Sequence, residues 1–480
     1  MRGADVYLSI MSVAIHWFRR DLRISDNSAL NAAVAAHDHV VPLYVLSVWK
    51  GEHHWCGAAR QEFLCGCLRA LAKNLEAKGG RLIVRQGDAD AVLEKLVRET
   101  EAVAIYFARD PDPYGRAMEA KIAAMAERLG VKVHPHKDHA LHERGEVLTG
   151  SGTPFRVFTP YSKAWRQLEK QSSGRTLGKI STPEKLAALE LPTLATWDLQ
   201  SAAQIIEPGE AAARQRLGNF LDGPVFDYGT KRDMPAVENT SRLSQDLRWG
   251  LLSIREIYAR ATESAAQSNA AQRKSIDVWI NELIWREFYF QVIWNVPEVL
   301  DREFQPEYRA LKWRDHWRPE ERPGGAELKR WCAGQTGFPI VDAGMRQLAA
   351  TGFMHNRVRM IVAMFLTKDL HVWWMHGESW FMRRLVDGEI ASNNGGWQWS
   401  ASTGTDAAPY FRIQNPWSQA KRFDPAGDYI RRWVPELRDL PGPRLCEPPT
   451  PGLPLAKGYP LPMVDHSTER DAALEMFRRP

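Results

Sequence analysis

The chain lacks several features that would have fixed its class at once. No run of about 18 apolar residues occurs, so no membrane-spanning helix is expected. Neither GxGxxG nor GxxxxGK is present, which speaks against a dinucleotide or P-loop fingerprint. Cysteine is scarce and scattered, at Cys56, Cys65, Cys67, Cys332 and Cys446. With no CxxC pair or zinc-type spacing, neither a metal site nor a disulfide framework is expected. An odd set of this kind fits reduced thiols in the cytoplasm. Charge of neither sign dominates. A net +5 permits a polyanionic partner without arguing for one, because clustering matters more than the sum. Internal repeats and low-complexity tracts are missing. The opening MRGADVYLSI has neither the charged nor the apolar region of a secretory signal. Met11 opens a better strand, so residues 1–10 read as an upstream start or a non-native remnant.

What is abundant is tryptophan: 19 residues, concentrated after Asp277. At 480 residues the chain exceeds one simple core, so two domains are expected. The first part alternates short apolar runs with amphipathic stretches. Strands are predicted at 13–18, 40–46, 81–86, 102–108 and 131–136, with helices over 26–36 and 60–78 among those between them. This alternation indicates a doubly wound parallel sheet, with ligands at the carboxyl ends of its strands. Between 168 and 207 Ser, Thr, Pro and Gly recur and the pattern dissolves. The division is therefore an α/β domain over 11–140, a linker over 141–210 and an all-α domain over 211–480. In the last, single helices are predicted over 278–294, 339–352 and 355–375.

Four constellations could carry chemistry. TSRLS (240–244) offers hydroxyls that either cap a helix or meet a phosphate. Trp279, Glu282 and Arg286 share one helix face. Glu282 and Arg286 either pair at i, i+4, or Glu282 points into a cavity. Asn356, Arg357 and Arg359 are polar at the start of an apolar helix, and Asp387 is a candidate partner for one arginine. Finally, NNGGWQWSASTGTDAAPY (393–410) reads as a glycine-rich loop presenting Trp397 and Trp399 to a planar guest. Any one tryptophan is more often core packing, although several together also suit base stacking, ~1–3 kcal/mol per base, or electron hopping between rings.

WFRRDLRISDN (17–27), TSRLS, WINELIWREFY (279–289), GFPIVDAGMRQL (337–348), MHNRVRM (354–360), DGEIASNNGGWQWSASTGTDAAPYFR (387–412) and WVPELRDLPG (433–442) occur in this order. Their spelling resembles the photolyase/cryptochrome family, most closely the microbial photolyases that repair cyclobutane pyrimidine dimers. The resemblance covers essentially the whole chain after Met11. It implies a monomer acting on damaged DNA in the cytoplasm, with FAD bound in the helical domain. Tyr228, Thr240, Ser241, Arg242, Leu243 and Ser244 would hold the phosphates. Trp279, Arg286, Asn356, Arg359, Asp387 and Asn393 would surround the ribityl chain and rings, with Asn393 facing flavin N5. Plant cryptochromes carry Asp at that position, so Asn393 favours repair over plant-type signalling.

By the same resemblance, Glu282 would hydrogen-bond the dimer, Trp285 and Trp399 would flank it, and Met360 would lie beside it. Photolyases for (6-4) photoproducts carry histidines at the positions of Asn356 and Met360, so this chain fits the cyclobutane lesion. Arg232 and Arg357 would contact DNA phosphates. The implied reaction is light-driven electron transfer from reduced FAD to a flipped-out dimer. A tryptophan chain would photoreduce the flavin, with Trp397 and Trp374 as inner members and Trp313 or Trp317 as the outer. Glu389 stands where the family has Asp, which would shift a contact at the flavin ring edge. ARDPDPYGR (108–116) lies where the family's antenna chromophore usually docks, and the resemblance leaves open a folate, a deazaflavin, a flavin or no antenna.

Overall fold

The computed structural model describes residues 11–51, 53–314, 325–405 and 412–478. Its first part is a five-stranded parallel sheet. The strands are β1 (Val13–Phe18), β2 (His39–Leu46), β3 (Ile83–Gln86), β4 (Ala104–Ala108) and β5 (Lys132–His136), in the order β3-β2-β1-β4-β5. Strands covered on both faces read as continuous apolar runs, and β4 is buried at every position. Helices α1 (Ser28–Ala36), α2 (Ala58–Glu76), α3 (Ala89–Thr100) and α4 (Pro113–Leu129) connect the strands. The chain runs outward from β1 to β3, then returns to β4 on the other side of β1. The order therefore reverses between β1 and β4, and a crevice opens beyond their carboxyl ends. Arg19 to Arg23 leave β1 there and meet Arg109 and Asp110 leaving β4, with Arg20 Nη1 3.0 Å from Asp110 Oδ1.

The segment expected to be a linker is partly folded. Helix α5 (Phe158–Gln167) lies within it, because Trp165 is fully buried and donates Nε1–H to Glu287 at 2.6 Å.

The remaining part is helical. It comprises α6 (Glu210–Leu221), α7 (Tyr228–Lys231), α8 (Ser244–Trp249), α9 (Ile254–Ala266), α10 (Ala270–Asn295), α11 (Ala326–Cys332), α12 (Pro339–Thr351), α13 (Asn356–Met364), α14 (Trp374–Arg384), α15 (Ile390–Ala401), α16 (Pro416–Phe423), α17 (Asp428–Trp433), α18 (Gly442–Leu445) and α19 (His466–Arg478). Helix α10 starts at a capping box, in which Asn269 and Gln272 satisfy each other's backbone N–H. Two expectations need correction. The helix predicted over 355–375 is broken: α13 passes into a π-turn over Phe365–Asp369, and the chain restarts at Trp374. The supposed loop from Asn393 is the helix α15 as far as Ala401. Trp317 and the stretch from Asp406 to Phe411 lie outside the described residues.

Two cores position the site. One is shared between the halves, joining Phe18, Leu30 and Phe63 to Trp279, Ile284 and Phe288. The other belongs to the helical half and holds Trp313, Trp331, Trp374 and Trp397. Among the described residues no helix is long and apolar enough to cross a membrane, and no cluster of three or more metal-ligating side chains occurs.

Candidate functional site

The site is built where α8, α13 and α15 converge. His355 caps α13 through Nδ1, which accepts the Arg357 N–H at 3.2 Å. One turn on, Arg359 donates Nε–H to Met354 O at 2.7 Å and Nη2–H to Asp387 Oδ2 at 2.8 Å. Asp387 is buried. Burial alone would raise its pKa, but Arg359 and a Ser244 hydrogen bond outweigh it and hold the carboxyl below its ordinary range. The partner proposed for Asp387 from sequence is therefore correct. Two residues on, Glu389 caps α15 by accepting the Ser392 N–H at 3.0 Å. Asn393 on that helix is half-buried, and its Nδ2 donates to Glu378 O at 3.1 Å. Asn394 reaches Glu378 Oε1 at 3.0 Å. Burial pushes Glu378 up to about 8, so it holds a proton at neutral pH. Sequence reasoning passed over Glu378.

TSRLS has an unusual backbone. Arg242 sits at φ +51°, a left-handed conformation that costs a non-glycine residue of order 1–3 kcal/mol. Its guanidinium lies 3.7 Å over the Phe353 ring, yet its buried Nε has no hydrogen-bond partner. Thr240 and Ser241 are half-buried, Leu243 is buried, Ser244 opens α8 exposed without capping it, and Tyr228 is buried nearby on α7. A half-buried cation with a spare donor, strained backbone and the hydroxyls of Thr240 and Ser241 suit an anionic group such as a pyrophosphate. On α15, a Cβ added at Gly396 would meet nothing within 4 Å, so a side-chain-free stretch of helix beside Asn393 adjoins open space. The donor set and this open face fit a nucleotide with a planar ring system.

The second group lies on α10. Glu282 pairs with Arg232 rather than with Arg286. Over a third of the Glu282 side chain reaches solvent, but the protein packed around it raises its pKa against the pull of Arg232. Trp285 stacks on Phe158 with centroids 3.6 Å apart and planes 5° from parallel. Phe158 belongs to α5, so the expected linker braces a predicted site residue. Trp399 is half-buried with Arg412 5.0 Å from its ring centroid. Met360 is half-buried and Asn356 exposed on α13, while Arg357 pairs with Asp233 at 2.8 Å. Trp279 is buried against Phe220 at 5.0 Å. Arg286 is tied to the first half, donating to His139 O at 2.6 Å, and burial lowers its pKa to about 10.

The tryptophans predicted to form a chain share one core. The Trp397 ring lies directly on α14: a Cβ built at Gly377 would fall 2.0 Å from Cη2. Trp374 begins the same helix three residues earlier and is fully buried, so the two rings flank one helix face. Trp397 also meets Phe381 at 5.0 Å and Trp331 at 6.1 Å edge to face. Trp313 is 5% exposed and meets Phe477 of α19 at 6.1 Å.

Glu389 Oε1 accepts from Arg20 Nη2 at 3.2 Å, so it joins the helical half to the loop after β1. Arg20 also binds Asp110 at 3.0 Å, and Asp112 beside them is pushed up to about 7 by burial and by Asp110. Asp110 lines a shallow cavity, partly open to solvent, with Arg109, His139, Glu143, Arg144 and Trp294. Arg116 and Arg144 lie 3.6 Å and 3.4 Å from the Trp294 ring centroid. The 108–116 segment therefore does border a cavity, shared with α10.

Residues 14–181 match the DNA photolyase family profile, and residues 279–479 match the FAD binding domain of DNA photolyase. A deoxyribodipyrimidine photo-lyase of Synechococcus sp. is 41% identical over 468 residues, covering 94% of each chain. The crystal structure of a bacterial class III photolyase from Agrobacterium tumefaciens superposes with a TM-score of 0.88 at 36% identity, covering 99% of both chains. An archaeal photolyase from Sulfolobus tokodaii, solved with two FAD molecules, superposes with a TM-score of 0.82 at 29% identity, covering 98% of this chain and all of that one.

Proposed function

The chain belongs to the DNA photolyase family, and on that premise we propose that it reverses cyclobutane pyrimidine dimers in DNA under light, with FAD held against the Arg359–Asp387 pair. FAD bound there in its reduced form would supply the light-driven electron that splits a flipped-out dimer and is afterwards recovered. The observation that carries the site assignment is the pairing of half-buried Arg359 with buried Asp387, flanked by the strained, underbonded Arg242 and by Asn393 on α15. Arg242, Tyr228 and the hydroxyls of Thr240, Ser241 and Ser244 bind the phosphates. Trp279, Arg286, Asn356 and Asn393 enclose the remainder. Glu389, bonded to Arg20, orients the start of α15 rather than the ring edge.

On the lesion side, flipping costs a few kcal/mol, less for a poorly stacked damaged pair. Trp285, braced by Phe158, and Trp399 offer aromatic faces to the bases. The raised pKa of Glu282 suits it to share a proton with a pyrimidine carbonyl that has gained negative charge. Arg232 and Arg357 are held by Glu282 and Asp233 and keep further N–H donors for phosphates, a contact that reads no sequence and weakens with salt. Trp397, Trp374 and Trp313 form the electron path that photoreduces the flavin.

The cavity beside Trp294 takes a second chromophore. Absorbance of the extracted pigment separates a folate, a deazaflavin and a flavin. The proposal extends to a monomer in the cytoplasm, in keeping with five free cysteines, and to a division at 11–140, 141–210 and 211–480. The test is a dimer-containing oligonucleotide incubated with flavin-reduced protein. Intact bases are expected to return in light only, and a dimer that survives illumination overturns the reading.

A further inference from the structure

One carboxylate in the tryptophan core has no part in the roles above. Glu303 lies between α10 and α11 and is 5% exposed. Its Oε1 accepts two indole N–H groups, Trp373 Nε1 at 3.0 Å and Trp374 Nε1 at 3.1 Å. No arginine or lysine among the described residues forms an ion pair with it. Arg309 donates its Nε–H to the backbone carbonyl of Glu303 at 3.1 Å rather than to the carboxylate, and anchoring an indole does not require a carboxylate. In the same core Trp331 donates its Nε1–H to a backbone carbonyl, Val362 O, at 3.0 Å. What a carboxylate adds over a carbonyl is negative charge and affinity for a proton.

We propose that Glu303 is the internal base and counter-charge of the tryptophan chain. The inference rests on the reading of Trp397 and Trp374 as the electron path. When Trp374 gives one electron to an oxidised Trp397, its own ring is left with one positive charge. The Glu303 carboxylate stabilises that charge and takes the Nε1 proton along the existing hydrogen bond. A neutral indolyl radical and a carboxylic acid result. The oxidant is the photoexcited flavin, reached through Trp397. A thiol reductant from solution later supplies one electron by way of Trp313, the outer member of the path, and Glu303 returns the proton to the Trp374 nitrogen. Trp373 shares the same oxygen, its ring centroid 6.4 Å from that of Trp374, so a hole on either indole meets the same acceptor. Once the proton has moved, return of the electron from the flavin side must also bring the proton back, which prolongs the separated state.

The test uses the flavin-loaded protein, oxidised, under blue light with a thiol reductant. Glu303→Gln keeps the side-chain length and an oxygen to accept N–H, but removes the charge and the proton affinity. Flavin content and thermal midpoint are expected at the parent values, with the photoreduction yield lower by at least about tenfold. Transient absorption is expected to show a protonated indole radical cation where the parent shows the neutral radical. Parent yield and a neutral-radical spectrum in Glu303→Gln overturn the proposal. A second measurement needs no variant: decay of the cation signal in the parent is expected to be independent of buffer concentration. Acceleration in proportion to buffer base assigns the proton to solvent and overturns it equally. Trp397→Phe in the same experiment separates the two readings. Parent-like photoreduction there removes the tryptophan path itself, whereas loss there with a parent-like Glu303→Gln removes only the role of Glu303.

Discussion

Gly377 is the position where one added methyl group tests the seat of the inner tryptophan. A Cβ there would lie 2.0, 2.4 and 2.6 Å from Cη2, Cζ3 and Cζ2 of Trp397. Carbon atoms in contact rest near 3.5 Å, so the ring must retreat by about 1.5 Å. It has little room to do so, because Trp397 is 2% exposed and hemmed in by Phe381 and Trp331. Overpacking of this kind costs about 1–3 kcal/mol, and at about 2–4 °C per kcal/mol the melting point of Gly377→Ala should drop by several degrees. The same retreat changes the gap between Trp397 and Trp374, and electron hopping falls steeply with distance. Photoreduction of oxidised flavin, followed by absorbance under blue light, should slow, and flavin content should stay at the parent level. A variant with the parent melting point and the parent photoreduction rate would refute the claim that Trp397 rests on this glycine.

Asp387→Asn removes the counter-charge of a largely buried arginine and is expected to cost about 3–5 kcal/mol, read by denaturant unfolding, with loss of flavin on gel filtration. The pH sign follows from the lowered pKa of Asp387. Its stabilisation is present above the ordinary carboxylate value of about 3.9 and is lost as pH falls through the lower folded value, so the parent protein, but not the variant, should show this acid-side loss. Glu282→Ala is expected to lower the repair yield per absorbed photon while flavin stays bound, and loss of flavin would mark Glu282 as structural. Arg357→Ala should weaken DNA binding irrespective of sequence and reduce the slope of log affinity against log salt by about 1, measured by fluorescence anisotropy.

The sheet was readable because strands covered on both faces, such as HVVPLYVL, carry nearly unbroken apolar runs. The pairing of Arg359 with Asp387 and the gathering of the tryptophans were also readable once the motifs were set side by side. Helix α15 was not. Gly395, Gly396, Ser392 and two asparagines are poor helix formers, and the helix stands because Glu389 caps it and Trp397 packs on Gly377. The break after α13 was hidden by the apolar run continuing through Phe365 and Leu366. Phe158 was lost in a segment whose composition looked like linker, although its ring braces Trp285. Glu303 carries no motif at all, and only the convergence of two indole N–H groups marks it.

The Arg20–Glu389 bond spans 369 residues of sequence and is buried at the seam between the sheet and the flavin-side helices. It sets a rule for building chimeras. A sheet half grafted from another protein must bring an arginine that reaches Glu389 while leaving the acidic side chains beyond β4 neutralised, since Asp110 depends on the same guanidinium. A graft without it would strand the capping carboxylate of α15, and the misalignment would be felt at Asn393 rather than at the seam. Sheet halves are therefore exchangeable only as far as this one arginine is carried with them.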